Sequence, residues 1–124
     1  MEKPQVKHSG GCQCGAHRFE IISTPKFACK CHCKSCRKAT GAAFSTWVGF
    51  KSQHVSWVTK EPTFYASSKG VQRGFCAQCG TPLTYAGEKW SGEIHFLIGT
   101  FDDPNTFIPN KNVFTEDALS WALK

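Results

Sequence analysis

The stretch Cys29-Lys-Cys-His-Cys-Lys-Ser-Cys36, followed at once by Arg37-Lys-Ala-Thr-Gly41, concentrates most of the reactive chemistry of this sequence. Four of the eight cysteines lie within its first eight residues, and five basic residues lie in it or beside it: Lys26, Lys30, Lys34, Arg37 and Lys38. Thiols close to positive charge ionise readily, and the thiolate is the form that binds metal or attacks an electrophile. The core Cys31-x-Cys33-x-x-Cys36 can give three ligands to one zinc ion, which leaves the fourth tetrahedral position open as in catalytic zinc sites.

The length and composition favour one domain that spans residues 1–124. Ten Phe, four Trp and two Tyr residues against one Met indicate a mainly β protein with a core of rigid aromatic rings. No apolar run approaches the roughly 18 residues that a membrane span needs, and the first eleven residues lack the apolar stretch of a signal peptide. We therefore expect a cytoplasmic protein that has no membrane partner. In that compartment clustered cysteines more often hold metal than form disulfides.

The basic residues are unevenly distributed along the chain. The formal net charge is +6, and seven basic residues but no acidic residue lie between Glu20 and Glu61. A solvated basic face accounts for this pattern. It also suits an anionic ligand, either a small acidic thiol or a nucleic-acid backbone.

Alternation and turn residues predict a series of short strands. The predicted strands are residues 16–22, 27–31, 43–50, 55–58, 63–66, 82–85 and 94–98, and residues 71–75 lead into a turn that carries Cys76 and Cys79. Residues 33–40 are predicted to form one or two helical turns that end at Gly41. A C-terminal helix is predicted over residues 116–123, with Thr115 as its N-cap, whereas residues 1–11 read as a lead-in without a strand.

Two cysteine pairs far apart in the sequence can form one closed metal site. Cys12-x-Cys14 and Cys76-x-x-Cys79 together supply four thiolates, which complete a tetrahedral structural zinc site that would cross-link the sheets. The remaining four cysteines leave two interpretations open. Either Cys29 joins Cys31, Cys33 and Cys36 in a second closed site, or Cys29 stays outside an open site of three ligands. His32 should point away from these ligands in an extended segment.

The order of these motifs resembles the glutathione-dependent formaldehyde-activating enzyme family, whose domain also occurs in centromere protein V. The matching segments are Gly11-Cys-x-Cys-Gly15, Cys31-His-Cys-x-x-Cys-Arg-Lys-x-Thr-Gly41, Phe75-Cys-x-x-Cys-Gly-Thr-Pro-Leu83 and Gly99-Thr-x-Asp-Asp-Pro104. The resemblance implies the β-tent fold, in which two antiparallel sheets clasp a structural zinc. It assigns Cys12, Cys14, Cys76 and Cys79 to that zinc, and Cys31, Cys33 and Cys36 to a second, catalytic zinc.

The resemblance also implies an activity, a carbon–sulfur lyase-type reaction that joins formaldehyde and glutathione in S-hydroxymethylglutathione. On that basis Lys34, Arg37 and Lys38 are candidate contacts for the carboxylates of an acidic thiol such as glutathione. A non-catalytic zinc module whose basic face binds nucleic acid or an acidic partner is the alternative. Two features depart from the family pattern: the additional Cys29, and Asn112 where the family commonly has a histidine.

Overall fold

Two β-sheets contain most of the regular structure in residues 6–123, the part of the chain that the computed structural model describes. The strands are β1 (Lys7–Gly11), β2 (Arg18–Ile22), β3 (Phe27–Cys31), β4 (Ser45–Lys51), β5 (Val55–Trp57), β6 (Thr63–Ser68), β7 (Val71–Phe75), β8 (Pro82–Gly87), β9 (Glu93–Leu97) and β10 (Lys111–Val113). A short helix, α1 (Lys34–Thr40), connects β3 and β4. The remaining helical turns are 3-10 turns at Ser52–His54, Glu88–Trp90, Ile98–Thr100, Pro104–Thr106 and Thr115–Asp117. The expectation of a mainly β protein with two sheets is confirmed.

The two sheets differ in size and in connectivity. The small sheet has the order β1-β2-β5, and the large sheet has the order β10-β3-β4-β9-β8-β7-β6. All strand pairs are antiparallel except β10 with β3, which is parallel, so the expectation of purely antiparallel sheets needs this one correction. Strands β6 to β9 follow one another as a meander, whereas β5 leaves the large sheet and pairs with β2.

Aromatic rings from both sheets form the core between them. Phe19 of β2 packs on Phe96 of β9 with ring centroids 4.4 Å apart, and Phe101 meets Phe19 edge-on at 5.1 Å. Phe19, Phe50 and Phe96 are fully buried. Each such aromatic pair adds about 0.5–1.5 kcal/mol beyond its buried area, so these contacts fix how the small sheet lies on the large one.

Strands β1 and β10 were not predicted from the sequence, and β7 was expected only as a segment that leads into the Cys76–Cys79 turn. Residues 7–11 form β1, which pairs with β2 along its whole length. Gly10 is required there, because a Cβ atom at this position would collide with the Thr100 carbonyl oxygen and the Phe19 ring. Strand β10 is only three residues long and reaches β3 across most of the chain, so no local pattern marks it.

The C-terminal helix predicted over residues 116–123 is wrong. The structure has a single 3-10 turn at Thr115–Asp117, preceded by Phe114 in the left-handed region at φ 55° and followed by extended Ala118. Trp121 and Leu123 remain exposed, so a helix here would bury no apolar face. Since most helical stability comes from packing such a face, a segment this short does not form a helix alone. No helix within residues 6–123 has the length and apolarity to cross a membrane.

Candidate metal centres and active site

The four-cysteine cluster joins the two sheets. Cys12 and Cys14 follow β1 of the small sheet, whereas Cys76 and Cys79 lie between β7 and β8 of the large sheet. Their Sγ atoms all lie within 4.8 Å of one another, with 3.6 Å between Cys12 and Cys14 and 3.7 Å between Cys14 and Cys76. Zn–S bonds of about 2.3 Å in a tetrahedron place the sulfurs about 3.8 Å apart. The cluster therefore fits a closed zinc site of four ligands.

Several hydrogen bonds reach the sulfurs of this cluster, and those to Cys79 favour its thiolate form. The backbone N–H groups of His17 and Cys79 donate to the Sγ atoms of Cys12 and Cys76 at 3.3 and 3.4 Å. The Thr81 hydroxyl lies 3.1 Å from the Cys79 Sγ atom, and its hydrogen bond lowers the pKa of Cys79 to about 5. Ligand thiols must lose their protons to bind zinc, so these donors prepare the cluster for metal.

The three-cysteine cluster lies where β3 leads into α1. Cys31 ends β3, Cys33 caps α1, and Cys36 lies in its first turn. The three Sγ atoms lie within 4.8 Å of one another, and those of Cys31 and Cys36 are 3.6 Å apart. Within residues 6–123, no fourth Cys, His, Asp or Glu joins this group. The cluster fits a metal ion with three protein ligands and one free position.

The local sequence explains how α1 presents these thiols. The Cys33 side chain replaces the usual oxygen cap, because its Sγ accepts the backbone N–H of Cys36 at 3.2 Å. Gly41 ends the helix at φ 70°, and its N–H donates to the Arg37 carbonyl at 2.7 Å. The helix predicted over residues 33–40 with Gly41 at its end is confirmed.

The charge of this cluster is concentrated on Cys36. The hydrogen bond from Cys31 lowers the pKa of Cys36 to about 4, with Cys33 and Arg73 acting in the same direction against the effect of burial. The same hydrogen bond, together with burial, raises the pKa of Cys31. Cys36 is therefore the thiol of this cluster that ionises first, and its thiolate is the first of the three ligands available to a metal ion.

Cys29 and His32 lie close to this cluster without joining it. Cys29 is buried on β3 opposite Trp47, and burial raises the pKa of its thiol. His32 points away, as the alternation of β3 predicts. Its Nε2 donates to the Asn112 Oδ1 atom at 2.9 Å, and its ring packs on Phe44 with centroids 5.2 Å apart. The residue at the position of the common family histidine thus contacts the loop between two candidate ligands.

A cleft of about 280 Å³ lies beside the three-cysteine cluster. Its walls come from the end of α1, from β4, β6, β7, β8 and β9, and from the loop that carries Cys79. Trp47 and Leu97 form part of its lining and also pack against the cluster. Arg73 lines the cleft as well, and its Nη2 lies 3.8 Å from the Cys36 Sγ atom. None of the three cysteines lines the cleft itself, so Trp47, Leu97 and Arg73 are the residues that connect the cleft with the cluster.

A row of side chains crosses the large sheet and ends at this cleft. Directly opposed positions on adjacent strands form the row: Phe27, Gly49, His95, Tyr85, Arg73 and Tyr65. The Arg73 guanidinium lies 5.1 Å from the centre of the Tyr85 ring, and Tyr85 stacks on His95 with centroids 5.7 Å apart. Gly49 leaves space that the Phe27 ring fills, since a Cβ atom at Gly49 would collide with that ring. These contacts hold Arg73 in place before any ligand binds.

The basic residues of α1 lie elsewhere. Lys34 and Lys38 are exposed, and Arg37 is half-buried with its Nε atom buried and without a hydrogen-bond partner in residues 6–123. None of the three lines the cleft. Arg73 was not among the residues predicted from the sequence to bind a ligand. Its position as the one charged residue in β7, just before the Phe75-Cys76 motif, is the feature that could have marked it.

Comparison with known proteins agrees with the cysteine motifs. The family model described as glutathione-dependent formaldehyde-activating enzyme matches residues 7–117. The chain belongs to this family. The resemblance inferred from the motifs is thereby confirmed over nearly the whole chain.

Two relatives are similar to this chain in sequence, and one solved structure is similar to it in fold. A protein of Schizosaccharomyces pombe named an uncharacterized lyase is 37% identical over 81 residues, which cover 64% of this chain and 58% of that protein. A putative glutathione-dependent formaldehyde-activating enzyme of Halomonas elongata is 27% identical over 123 residues, covering 90% of this chain and 77% of that protein. A crystal structure of a Rhodobacter sphaeroides protein superposes with a TM-score of 0.67 at 19% identity, over 85% of this chain and 99% of that chain, and shows the shared fold.

Proposed function

We propose that this protein is a zinc-dependent enzyme of the carbon–sulfur lyase type that acts on adducts of glutathione or a related thiol, such as S-hydroxymethylglutathione. Family membership and the names of both relatives support a glutathione-related lyase-type function. We further propose two zinc ions per chain and a location in the reducing cytoplasm, since all eight cysteines are free thiols.

The observation that carries this proposal is the open three-cysteine cluster beside the cleft. Cys31, Cys33 and Cys36 supply three sulfurs, and Cys29 does not complete the set. A closed second site would exclude a substrate from the metal. A site of three ligands next to a cleft allows a substrate to reach the metal.

The chemistry of the adduct needs little from the protein beyond placement and charge. In the forward direction the thiol sulfur forms a bond to the carbonyl carbon of formaldehyde, and the thiol proton ends on the carbonyl oxygen. Zinc held by the three thiolates would supply a Lewis acid for the oxygen or a ligand position for the sulfur. Trp47 and Leu97 keep the approach to the cluster apolar, and a fixed geometry of this kind lowers the entropic part of the barrier.

The helix residues Lys34, Arg37 and Lys38 are proposed to attract the acidic thiol toward the cluster. Two of the three are exposed, so their effect is a steering field that salt screens over about 8–10 Å. Neutralising Lys34 and Lys38 together should slow substrate capture at low salt and change it little at high salt.

The test is turnover of S-hydroxymethylglutathione by zinc-replete protein, followed by NMR of the hydroxymethyl signal at exchange equilibrium. We expect exchange to be faster than the uncatalysed reaction, and Cys36→Ser to abolish the acceleration. Cys29→Ser is the matched control, because it removes a neighbouring buried thiol outside the group. Equal exchange with and without the wild-type protein would overturn the proposal, and a salt-dependent complex with nucleic acid would then favour the binding-module alternative.

A further inference from the structure

Arg73 carries a buried positive charge without a carboxylate partner in the part of the chain described. The residue is 5% exposed. The ion pairs found in residues 6–123 involve other groups: Lys7 with Glu20, Arg18 with Asp102, and Lys26 and His95 with Glu93. An unpaired buried charge is strongly unfavourable. None of these acidic side chains pairs with Arg73, and its nearest anionic neighbour is the Cys36 sulfur, 3.8 Å from Nη2.

The guanidinium is held on three sides by neutral and sulfur groups. Nε donates to the Ser67 hydroxyl at 3.2 Å, and Nη2 donates to the Ser35 hydroxyl at 3.0 Å. Nη2 also lies 3.8 Å from the Cys36 Sγ atom, and the Tyr85 ring covers one face at 5.1 Å. The plane and direction of the fork are thus set by the fold, which is the condition for binding a planar anion without further ordering.

The third nitrogen of the guanidinium is free to bind a ligand. Nη1 has no hydrogen-bond partner within residues 6–123, and it is not among the atoms buried without one. Since Arg73 is part of the cleft lining, Nη1 is the donor that remains for a molecule in the cleft.

We propose that Arg73 is the anion-binding residue of the cleft, where its Nη1 donates to a carboxylate of the thiol substrate. This inference rests on the proposed function and adds a specific contact to it. The proposed carboxylate contact lies on β7, whereas the contacts predicted from the sequence, Lys34, Arg37 and Lys38, lie on α1.

The geometry also limits the substrate class. A cleft of about 280 Å³ is slightly smaller than the range for ligand pockets, roughly 300–1,000 Å³. It admits a small thiol or one end of a larger one. Because the guanidinium lies next to Cys36, the sulfur and the carboxylate of the ligand should be separated by only a few bonds. Mercaptopropionate meets these conditions, as does one carboxylate arm of a short thiol peptide.

A purely structural role of Arg73 would lead to a different experimental result. Three thiolates around one divalent zinc would carry one net negative charge, and Arg73 could balance it without touching any substrate. In that case removing Arg73 would weaken zinc binding but would not change the preference between a ligand with a carboxylate and a ligand without one.

The experiment measures this preference directly. Mercaptopropionate and mercaptopropanol are nearly the same size, and only the first has a carboxylate. Their affinities for zinc-loaded protein are measured by calorimetry, with Trp fluorescence as a second readout because Trp47 lines the cleft. The variants are Arg73→Gln and Arg73→Lys. Arg18→Lys is the matched control, since Arg18 pairs with Asp102 at 3.0 Å on the small sheet. Zinc content and circular dichroism are recorded for every variant.

We expect the wild type and Arg18→Lys to bind mercaptopropionate about 10- to 100-fold more tightly than mercaptopropanol, the range for a charge-assisted hydrogen bond. Arg73→Gln should lose most of this ratio. Arg73→Lys should lose a large part of it, because lysine cannot reproduce the fork, and this variant decides the matter if Arg73→Gln loses zinc. High salt should leave the ratio largely unchanged, in contrast to any contribution from exposed lysines.

Equal affinities for the two thiols in the wild type, an unchanged ratio in both Arg73 variants, or no binding of either thiol would overturn the inference. Its failure is distinguishable from failure of the proposed function. A protein that shows the Arg73-dependent ratio but does not accelerate exchange of S-hydroxymethylglutathione would keep the anion site and lose the enzyme proposal. A protein that accelerates exchange without the ratio would show the reverse.

Discussion

The two cysteine clusters of this protein have the same ligand type, but they differ in the number of cysteines and in how far apart these lie in the sequence. The four-cysteine cluster joins loops from both sheets, and its sulfurs come from residues about 60 apart in sequence. The three-cysteine cluster is local, since its sulfurs lie within six consecutive residues at the end of β3 and the start of α1. A metal ion bound by the first cluster would therefore tie the two sheets together, whereas one bound by the second could exchange its fourth ligand without moving them.

The difference shows that ligand number and chain separation matter more than ligand chemistry. Closing a long loop gains more stability than closing a short one, and four thiolates leave no position for a substrate. Three thiolates in a short loop add little to the fold but keep one position free. We therefore propose that the fold separates the tasks of stability and chemistry between two sites.

The largest expected effect comes from breaking the closed cluster. Cys76→Ser removes a fully buried ligand and should lower the free energy of unfolding by at least about 5 kcal/mol, a large part of the stability of a small domain. Cys36→Ser should cost only about 1–3 kcal/mol. Urea unfolding followed by circular dichroism, together with zinc content, compares the two variants. Equal losses of stability in both would contradict the division of tasks.

An intermediate effect is expected where β10 supports the open cluster. Asn112→Ala removes the 2.9 Å bond to the His32 Nε2 atom, which orients the loop between Cys31 and Cys33. Such supporting contacts change metal affinity by about 10- to 100-fold. Competition with a chromophoric chelator should show weaker binding of one zinc ion and unchanged binding of the other. Unchanged affinity at both sites would mean that the loop is held by other contacts, such as the backbone bond from His32 N to Val113 O.

The smallest effect concerns acid stability apart from the cysteines. His8 is buried among Phe50, Phe101 and Phe107, and burial lowers its pKa below the ordinary value near 6.5. The unfolded chain therefore binds a proton first as the pH falls, so stability is lost from about pH 6.5 downward until the folded histidine is also protonated.

His8→Phe should make the loss of stability between pH 7 and pH 5 less steep, while the part due to protonation of the thiols remains in both proteins. Thermal unfolding across this range, with zinc present, measures the difference. Parallel pH profiles for the wild type and the variant would show that His8 contributes nothing to acid sensitivity.

Local signals in the sequence predicted most of the large sheet and the ligand sets. The prediction of a strand over residues 27–31 matches β3 in full. Spacing alone identified both cysteine groups that the structure brings together. Whether Cys29 joins the second group could not be decided, because alternation places Cys29 and Cys31 on the same face and the distance between sulfurs depends on the helix turn that follows.

Most of the errors have a physical origin in long-range contacts. Strand β10 forms because β3, far along the chain, provides its hydrogen bonds, whereas β1 pairs with the neighbouring strand β2 and lacks an apolar alternation that would mark it. The C-terminal helix fails because no surface receives its apolar residues. Arg73 acquires its place from the cross-strand row with Tyr85 and from contacts with α1, and neither is visible in the letters around it.

The zinc content of dialysed, zinc-replete Cys29→Ser protein tests the central claim most directly, measured beside the wild type and Cys36→Ser. The account predicts two zinc ions in the wild type and in Cys29→Ser, and one in Cys36→Ser. One zinc ion in Cys29→Ser against two in the wild type would make Cys29 a fourth ligand. The second site would then be closed, and the contrast between the two clusters would be wrong.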